Sequence, residues 1–426
     1  MSAVIPQLVS QPVSTMPHAS RTAGPVALAL LAIARGAATV ALAAALPATV
    51  RAQSAATPDS AGFLIKLGAD TLAIERVVTY ADSVTGDFLT RSPHTSRYTY
   101  TARVSPAPER LVTAYAMSHY QTGLTSSAVD VRMTADFASD SAHVIVQRKD
   151  SSHALSFPAP STAVPLLEPG FGLHQILIAR ALAGHDRRLP FAWVYVPDQV
   201  DTGSIISGPG ANAVAIATPT DTIRAVLDAK GHVLSMTDPG GTFQATVSRI
   251  PWPDLDHWAT DFMDRDAKGR GLGTLSTRDT VRAAVGLVKV LVDYSRPAAR
   301  GRQIFGNIVP WNAVWRTGAN WATSITFDKD LLIGPTRVPA GSYTLFTIPS
   351  QAGWTLIISR ATGEWGTEYD PTADFARVPM TSAMTPRVTE RFTIAVTSRG
   401  SGKSNALTMQ WDNVIATVPL RVAVGD

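Results

Sequence analysis

The chain has 426 residues, of which 45% are hydrophobic and 16% charged, and it contains no cysteine. That length suffices for two ordinary domains with sizeable cores, and the composition excludes both a disordered chain and one embedded in a membrane over its bulk. Without cysteine there are no disulfides, no thiolate chemistry, no thiolate metal ligands and no lipidated cysteine of the bacterial lipoprotein kind.

The first 52 residues hold no Asp or Glu and three arginines, Arg21, Arg35 and Arg51, around the apolar run GAATVALAAAL. Pro47 breaks that run, and V-R-A at positions 50–52 offers small residues to a signal peptidase. This order predicts a secretory signal peptide over residues 1–52, with translation able to begin at Met16, and hence an exported protein, periplasmic or extracellular. The alternative is a retained anchor, since residues 26–46 are about as long as a bilayer is thick. Arg35 at its centre would cost roughly 2.5–3.5 kcal/mol there, which favours cleavage. Losing the leader removes three positive charges and no negative ones, so the formal charge of +4 falls to about +1. No basic stripe remains, and a nucleic acid partner is not expected.

After a small-residue linker over residues 53–61, apolar and polar residues alternate in DTLAIERVVTY, SRYTYTARVS, RLVTAYAMSHY and SAHVIVQRK, the period of half-buried strands. One interruption is helical: after EPGFG, the run LHQILIARALAG sets Ile176, Leu177, Arg180 and Ala181 at helical offsets and stops at Gly184, which predicts a helix near residues 173–183. Strand patterns resume in NAVAIAT and in DTIRAVLDAKGHVLSMT, where Asp228-Ala229-Lys230-Gly231 makes the turn of a hairpin. Residues 62–259 therefore read as an antiparallel β domain, a curved sheet or half-barrel with one helix. The polar, Gly-rich run DFMDRDAKGRGLGTLS predicts a linker over residues 260–276. Beyond it, RDTVRAAVG, LVKVLVDY, WATSITFD, SYTLFTI, WTLIIS, RFTIAVTS, NALTMQWD and VIATVPLRVAV predict a second β-rich domain over residues 277–424, a jelly-roll-like β-sandwich.

Within that second domain lie four phrases: Y-x-R-P with Tyr294 and Arg296, R-G-R-x-x-x-G with Arg302 and Gly306, W-R-T-G-A-N with Gly318, and P-A-G-x-Y-x-L. On these it resembles the family called domain of unknown function 2911, over about a third of the chain. The resemblance implies an exported bacterial protein and no particular activity. Trp321 departs from the acidic or small residue that the resemblance leads one to expect after Gly318-Ala319-Asn320. The opening phrase FLIKLGADTLAIERVV is similar to the start of secreted β-rich proteins built as a half-barrel around a helix.

All nine histidines precede the second domain, so it has no imidazole for a metal site or a Ser-His-Asp triad. The segment RGSGKSNAL fails as a phosphate loop because Thr397 stands where the first glycine is required. No nucleophile elbow or dinucleotide fingerprint occurs, so no cofactor and no resident metal are expected. What remains is a set of turn residues: Arg316 and Asn320 between Trp315 and Trp321, and Glu364, Trp365, Tyr369 and Asp370 in RATGEWGTEYDPTADF. Arg316 reads first as a staple tying loop carbonyls together and second as a recognition arginine for a carboxylate. The leading expectation is a non-catalytic exported protein that binds a small molecule, glycan or envelope component at this corner. The alternatives are a carbohydrate hydrolase using Glu364 and Asp370, with carboxyls about 5–9.5 Å apart, and an assembly module using exposed sheet edges.

Overall fold

In the computed structural model of the protein the described residues are 58–120, 129–184, 186–195, 199–207, 212–218, 222–238, 243–399 and 404–423. The predicted leader and most of the linker after it lie outside them.

Strands β1 (Asp59–Leu67), β2 (Asp70–Thr79), β3 (Ser83–Thr90), β4 (Ser96–Val104), β5 (Val112–Tyr120), β6 (Val129–Phe137), β7 (Ser141–Arg148) and β8 (Ser151–Pro158) form an antiparallel meander. β1 thus starts inside the stretch expected to be linker, because Ala61 already packs in the core. β9 (Ala163–Leu166) leads into helix α1 (His174–Ala183). Then β10 (Arg188–Tyr195), β11 (Gln199–Ser207), β12 (Ala213–Ala217), β13 (Thr222–Leu227), β14 (Val233–Thr237) and β15 (Ala245–Ile250) return until β15 pairs with β1. The product is a 15-stranded sheet with β8 and β9 at its edges. β9 and β10 run parallel, which requires a crossover, and α1 supplies it. The sheet curls until β9 meets β5, and α1 packs on β10, β11 and β12. Alternation does the sorting: in β6, Val131, Met133 and Ala135 enter the core while Arg132, Thr134 and Asp136 face solvent. The expected hairpin is present, with Asp228 Oδ1 accepting from the backbone N–H groups of Lys230 and His232 at 2.8 and 2.9 Å.

The linker expected from residue 260 is in its first half a second helix, α2 (Leu255–Ala267). Asp254 caps it, accepting from Asp256 N and His257 N at 3.1 and 3.2 Å. Leu255, Ala259 and Phe262 face Ile74 of β2 and Leu89 of β3. β2 is consequently covered on both faces, and its next residue, Glu75, points the other way, into the sheet's interior.

Glu75 is fully buried there and organises the turn into α1. Phe171 N–H donates to its Oε2 at 2.8 Å, Gly172 N–H is shared between both oxygens at 3.2 and 3.1 Å, and the Tyr100 hydroxyl donates to Oε1 at 2.8 Å. Gly172 has no room for a side chain, because a Cβ would overlap the Tyr100 hydroxyl. Burial pushes the Glu75 carboxyl up to about 7 in spite of these donors. A carboxyl raised in this way holds its proton more tightly in the folded chain. Its stabilising contribution is full below about 4.5 and is lost as the pH climbs through about 7. Glu75→Gln abolishes that titration. Unfolding measured at several pH values should show the wild-type advantage over this variant shrinking by on the order of 3 kcal/mol across the window. A constant difference would mean that the carboxyl ionises as an exposed one does.

The C-terminal sheet comprises β16 (Ser276–Val285), β17 (Val288–Pro297), β18 (Thr323–Phe327), β19 (Leu331–Ile333), β20 (Thr336–Val338), β21 (Gly341–Ile348), β22 (Trp354–Ser359), β23 (Asp374–Arg399) and β24 (Ser404–Val422). Their order is β16-β17-β18-β21-β22-β23-β24-β19-β20. β23 pairs with β22 through residues 374–380 and with β24 beyond them, and two register shifts near Met384 and Thr389 bend it from one layer into the other. β16 and β17 pack across on β23, which closes a sandwich. Among the described residues no helix is long and apolar enough to cross a membrane.

Candidate ligand-binding site

The corner expected from the sequence is assembled in part. Gly366 N–H donates to Asn320 O at 3.0 Å, Ala322 N–H donates to Glu364 O at 3.3 Å, and Trp321 meets Trp365 edge to face at 5.4 Å. Asn320 has φ of 59°, the left-handed geometry anticipated for it. A Cβ on Gly366 would lie 2.6 Å from both Arg316 Cδ and the Asn320 carbonyl, so the two loops are in tight contact. Arg316 is 5% exposed, and burial lowers its pKa to about 10. It is thus a packed internal arginine and not one exposed on the surface. Both carboxylate oxygens of Glu364 are shielded from solvent without a hydrogen-bond partner.

Three of the residues are engaged in packing and hydrogen bonds of the scaffold. Trp315 is core: it stacks on Trp411 at 6.0 Å and packs edge-on to Phe392 at 5.0 Å, and its N–H and C=O both pair with Thr347. Tyr369 packs its ring on Phe346, donates its hydroxyl to Asp374 Oδ2 and accepts from Arg377 Nη2, both at 2.8 Å. Asp370 caps the short 3-10 turn Pro371–Ala373, and hydrogen bonds from the Thr372 side chain and backbone hold its carboxyl below the usual range. An acid committed to a cap in this way is a poor half of a catalytic pair.

The residues read as structural do hold the scaffold. The Tyr294 hydroxyl donates to Ile394 O at 3.4 Å, and Arg296 bridges Phe392 O, Asp279 and Thr393 Oγ1. Gly306 and Gly318 have φ of 85° and 152°, and Gly318 passes so close to Ser295 O that a Cβ would sit 3.0 Å from it. Arg300 and Arg302 go further and tie the two sheets together. Arg300 Nη1 pairs with Asp70 at 2.6 Å, Ala69 N–H donates to Arg300 O at 3.1 Å, and Arg302 Nη1 donates to Phe243 O at 3.0 Å.

Beside that seam opens a cleft of about 600 Å³, bounded by β2, the residue after β3, α2 and its trailing turn, and the strand β23. Five arginines line it, Arg91, Arg265, Arg270, Arg300 and Arg391, against three acids, Asp70, Asp261 and Glu390. Two of the acids are engaged by cleft arginines, Asp70 by Arg300 and Asp261 by Arg265 at 2.9 Å, while Glu390 accepts from the Arg300 backbone N–H at 2.8 Å. Arg91 is 4% exposed and held over the Phe262 ring at 5.2 Å, with Nη1 and Nη2 donating to Thr71 O and Arg270 O. Its Nε, and Nη1 of Arg391, are shielded donors without an acceptor. Burial is the main cause that lowers the Arg91 pKa, with Arg265 adding to it and Asp70, Asp266 and Asp261 opposing it. The arrangement is suited to receive a carboxylate or phosphate. Sequence reading passed over it because DRDAKGR looked like linker and Arg91 stands alone in LTRSPHT.

Among the described residues no group of three or more His, Asp or Glu side chains is placed to hold a metal ion. No curated protein matches the chain. Among solved structures it is similar to a DUF1089 family protein from Pseudomonas aeruginosa, with 14% identity, TM-score 0.29 and coverage of 39% of this chain and 89% of that one. It is likewise similar to a beta-barrel-like protein of domain of unknown function DUF1849 from Brucella abortus, with 15% identity, TM-score 0.30 and coverage of 45% and 95%. Residues 276–420, which carry the C-terminal sheet, match the family described as protein of unknown function (DUF2911).

Proposed function

We propose that the protein is an exported, non-catalytic binding protein that holds a small anionic molecule, such as an acidic or phosphorylated sugar, in the arginine cleft. The observation that carries this reading is the lining of the cleft, where arginines outnumber acids five to three. The volume of about 600 Å³ falls within the range of small-molecule sites. The leader of residues 1–52, free of Asp and Glu and with three arginines around an apolar run, supports export.

Calorimetric titration of the mature protein with glucuronate, glucose 6-phosphate and inorganic phosphate at low ionic strength tests this. At least one should bind saturably, more weakly as salt is added, and Arg391→Gln should weaken it about tenfold with little change in melting temperature. Absence of binding by all three, or binding indifferent to Arg391, would overturn the reading.

A further inference from the structure

A second cavity, of about 60 Å³, lies where the turn before α1 meets β10, β12, β13 and the stretch that follows β14. Two carboxylates from distant segments line it. Glu168 belongs to the turn that Glu75 holds through Phe171, and its Oε2 is shielded from solvent without a hydrogen-bond partner. Asp238 follows β14 and is 6% exposed, with its Oδ2 accepting from the Gln244 N–H at 3.2 Å. Four aromatic residues, Phe171, Trp193, Tyr195 and Phe243, line the same space. Trp193 and Tyr195 share a face of β10 because they stand two residues apart on a strand. Nothing among the described lining residues supplies a positive charge. There is no Lys or Arg, Thr218 is neutral, and burial pushes the His174 imidazole down to about 3 against its hydrogen bond to the Phe171 backbone. Two acids enclosed together without a counter-charge are costly to keep there.

We propose that this chamber receives the protonated amino group of a small organic amine, which donates to Glu168 and Asp238 while the rings of Phe171, Trp193, Tyr195 and Phe243 enclose the head. Both halves of the lining ask for the same ligand. Carboxylates take charge-assisted hydrogen bonds from an ammonium, and aromatic faces attract a cation through their quadrupoles. An anion would meet two acids, and an uncharged head would leave them without a counter-ion. The orphaned Oε2 of Glu168 calls for an N–H donor, which a fully methylated ammonium lacks. The cavity exceeds the roughly 10–15 Å³ that one water needs and falls far short of the roughly 300 Å³ of a site for a whole drug-sized molecule. An ammonium head and its first few carbons fill it. Burial pushes the Glu168 carboxyl up to about 8, with the Asp238 carboxylate adding to it, and a bound cation would favour the ionised form again.

Butylammonium is the probe, with butan-1-ol as its neutral isostere, butyrate as the anion and butyltrimethylammonium as the cation without N–H. Binding to the mature protein is followed by calorimetry and by the fluorescence of the tryptophans, one of which lines the chamber. Butylammonium should bind saturably, and at least tenfold tighter than each of the three controls. Glu168→Gln keeps the size of the side chain and removes its charge, and it should weaken butylammonium about tenfold while leaving butan-1-ol unchanged. Should that variant fail to fold, Asp238→Asn decides by the same pair of affinities. No binding of butylammonium, binding of any control as tight as that of butylammonium, or an affinity that neither carboxamide variant alters would overturn the proposal. The arginine cleft is probed with anions and is untouched by every one of these outcomes.

Discussion

Glu75→Ala is expected to destabilise the protein by at least about 3 kcal/mol, because it strands three buried donors at once. The N–H groups of Phe171 and Gly172 and the hydroxyl of Tyr100 all converge on that carboxylate. Neither water nor another side chain replaces it easily: Gly172 is pressed against Tyr100, and Leu173, at the N-cap position of α1, offers no side-chain cap. The loss should fall on the seating of α1, whose buried residues Ile176, Leu177 and Ala181 join the interior core. Urea unfolding is the measurement. A loss below about 1 kcal/mol would show that the turn is held by packing alone and that the carboxylate is incidental.

Trp315→Ala is expected to cost about 3–5 kcal/mol, the range for emptying a large aromatic site in a core. Its indole touches Trp354, Phe392 and Trp411, so the vacated volume is enclosed by rings that cannot all collapse into it. Trp321→Ala provides the contrast. Trp321 is 54% exposed and has Trp365 as its ring partner, so its removal should cost no more than about 1.5 kcal/mol. Equal losses from the two substitutions would contradict the division drawn here between a core tryptophan and a surface one in the same short phrase.

That phrase marks where the sequence was readable and where it was not. Period-two alternation located most strands, and the break in period located α1, because both signals are written in consecutive residues. α2 carried the same kind of signal, an Asp254 cap followed by Leu255, Trp258, Ala259 and Phe262 at helical spacing, yet the charged residues of its other face made it read as linker. The positive backbone angle of Asn320 and the tight passage at Gly318 were inferable from residue type. Burial of Trp315 against exposure of Trp321 was not, since both flank the same turn and only partners far along the chain, Phe392 and Trp411, separate them. The cleft was invisible for the same reason. Arg91, Arg265 and Arg391 belong to three distant segments, and the seam made by Arg300 with Asp70 brings them to one place.

The claim that this seam creates an anion site is tested most directly by diffraction from crystals soaked in selenate, whose anomalous signal locates the bound anion without reference to any assumed ligand. The account predicts a peak within hydrogen-bonding distance of Arg91 and Arg391, lost in the Arg391→Gln protein. Selenate found only elsewhere, with the cleft occupied by ordered water in both proteins, would contradict it.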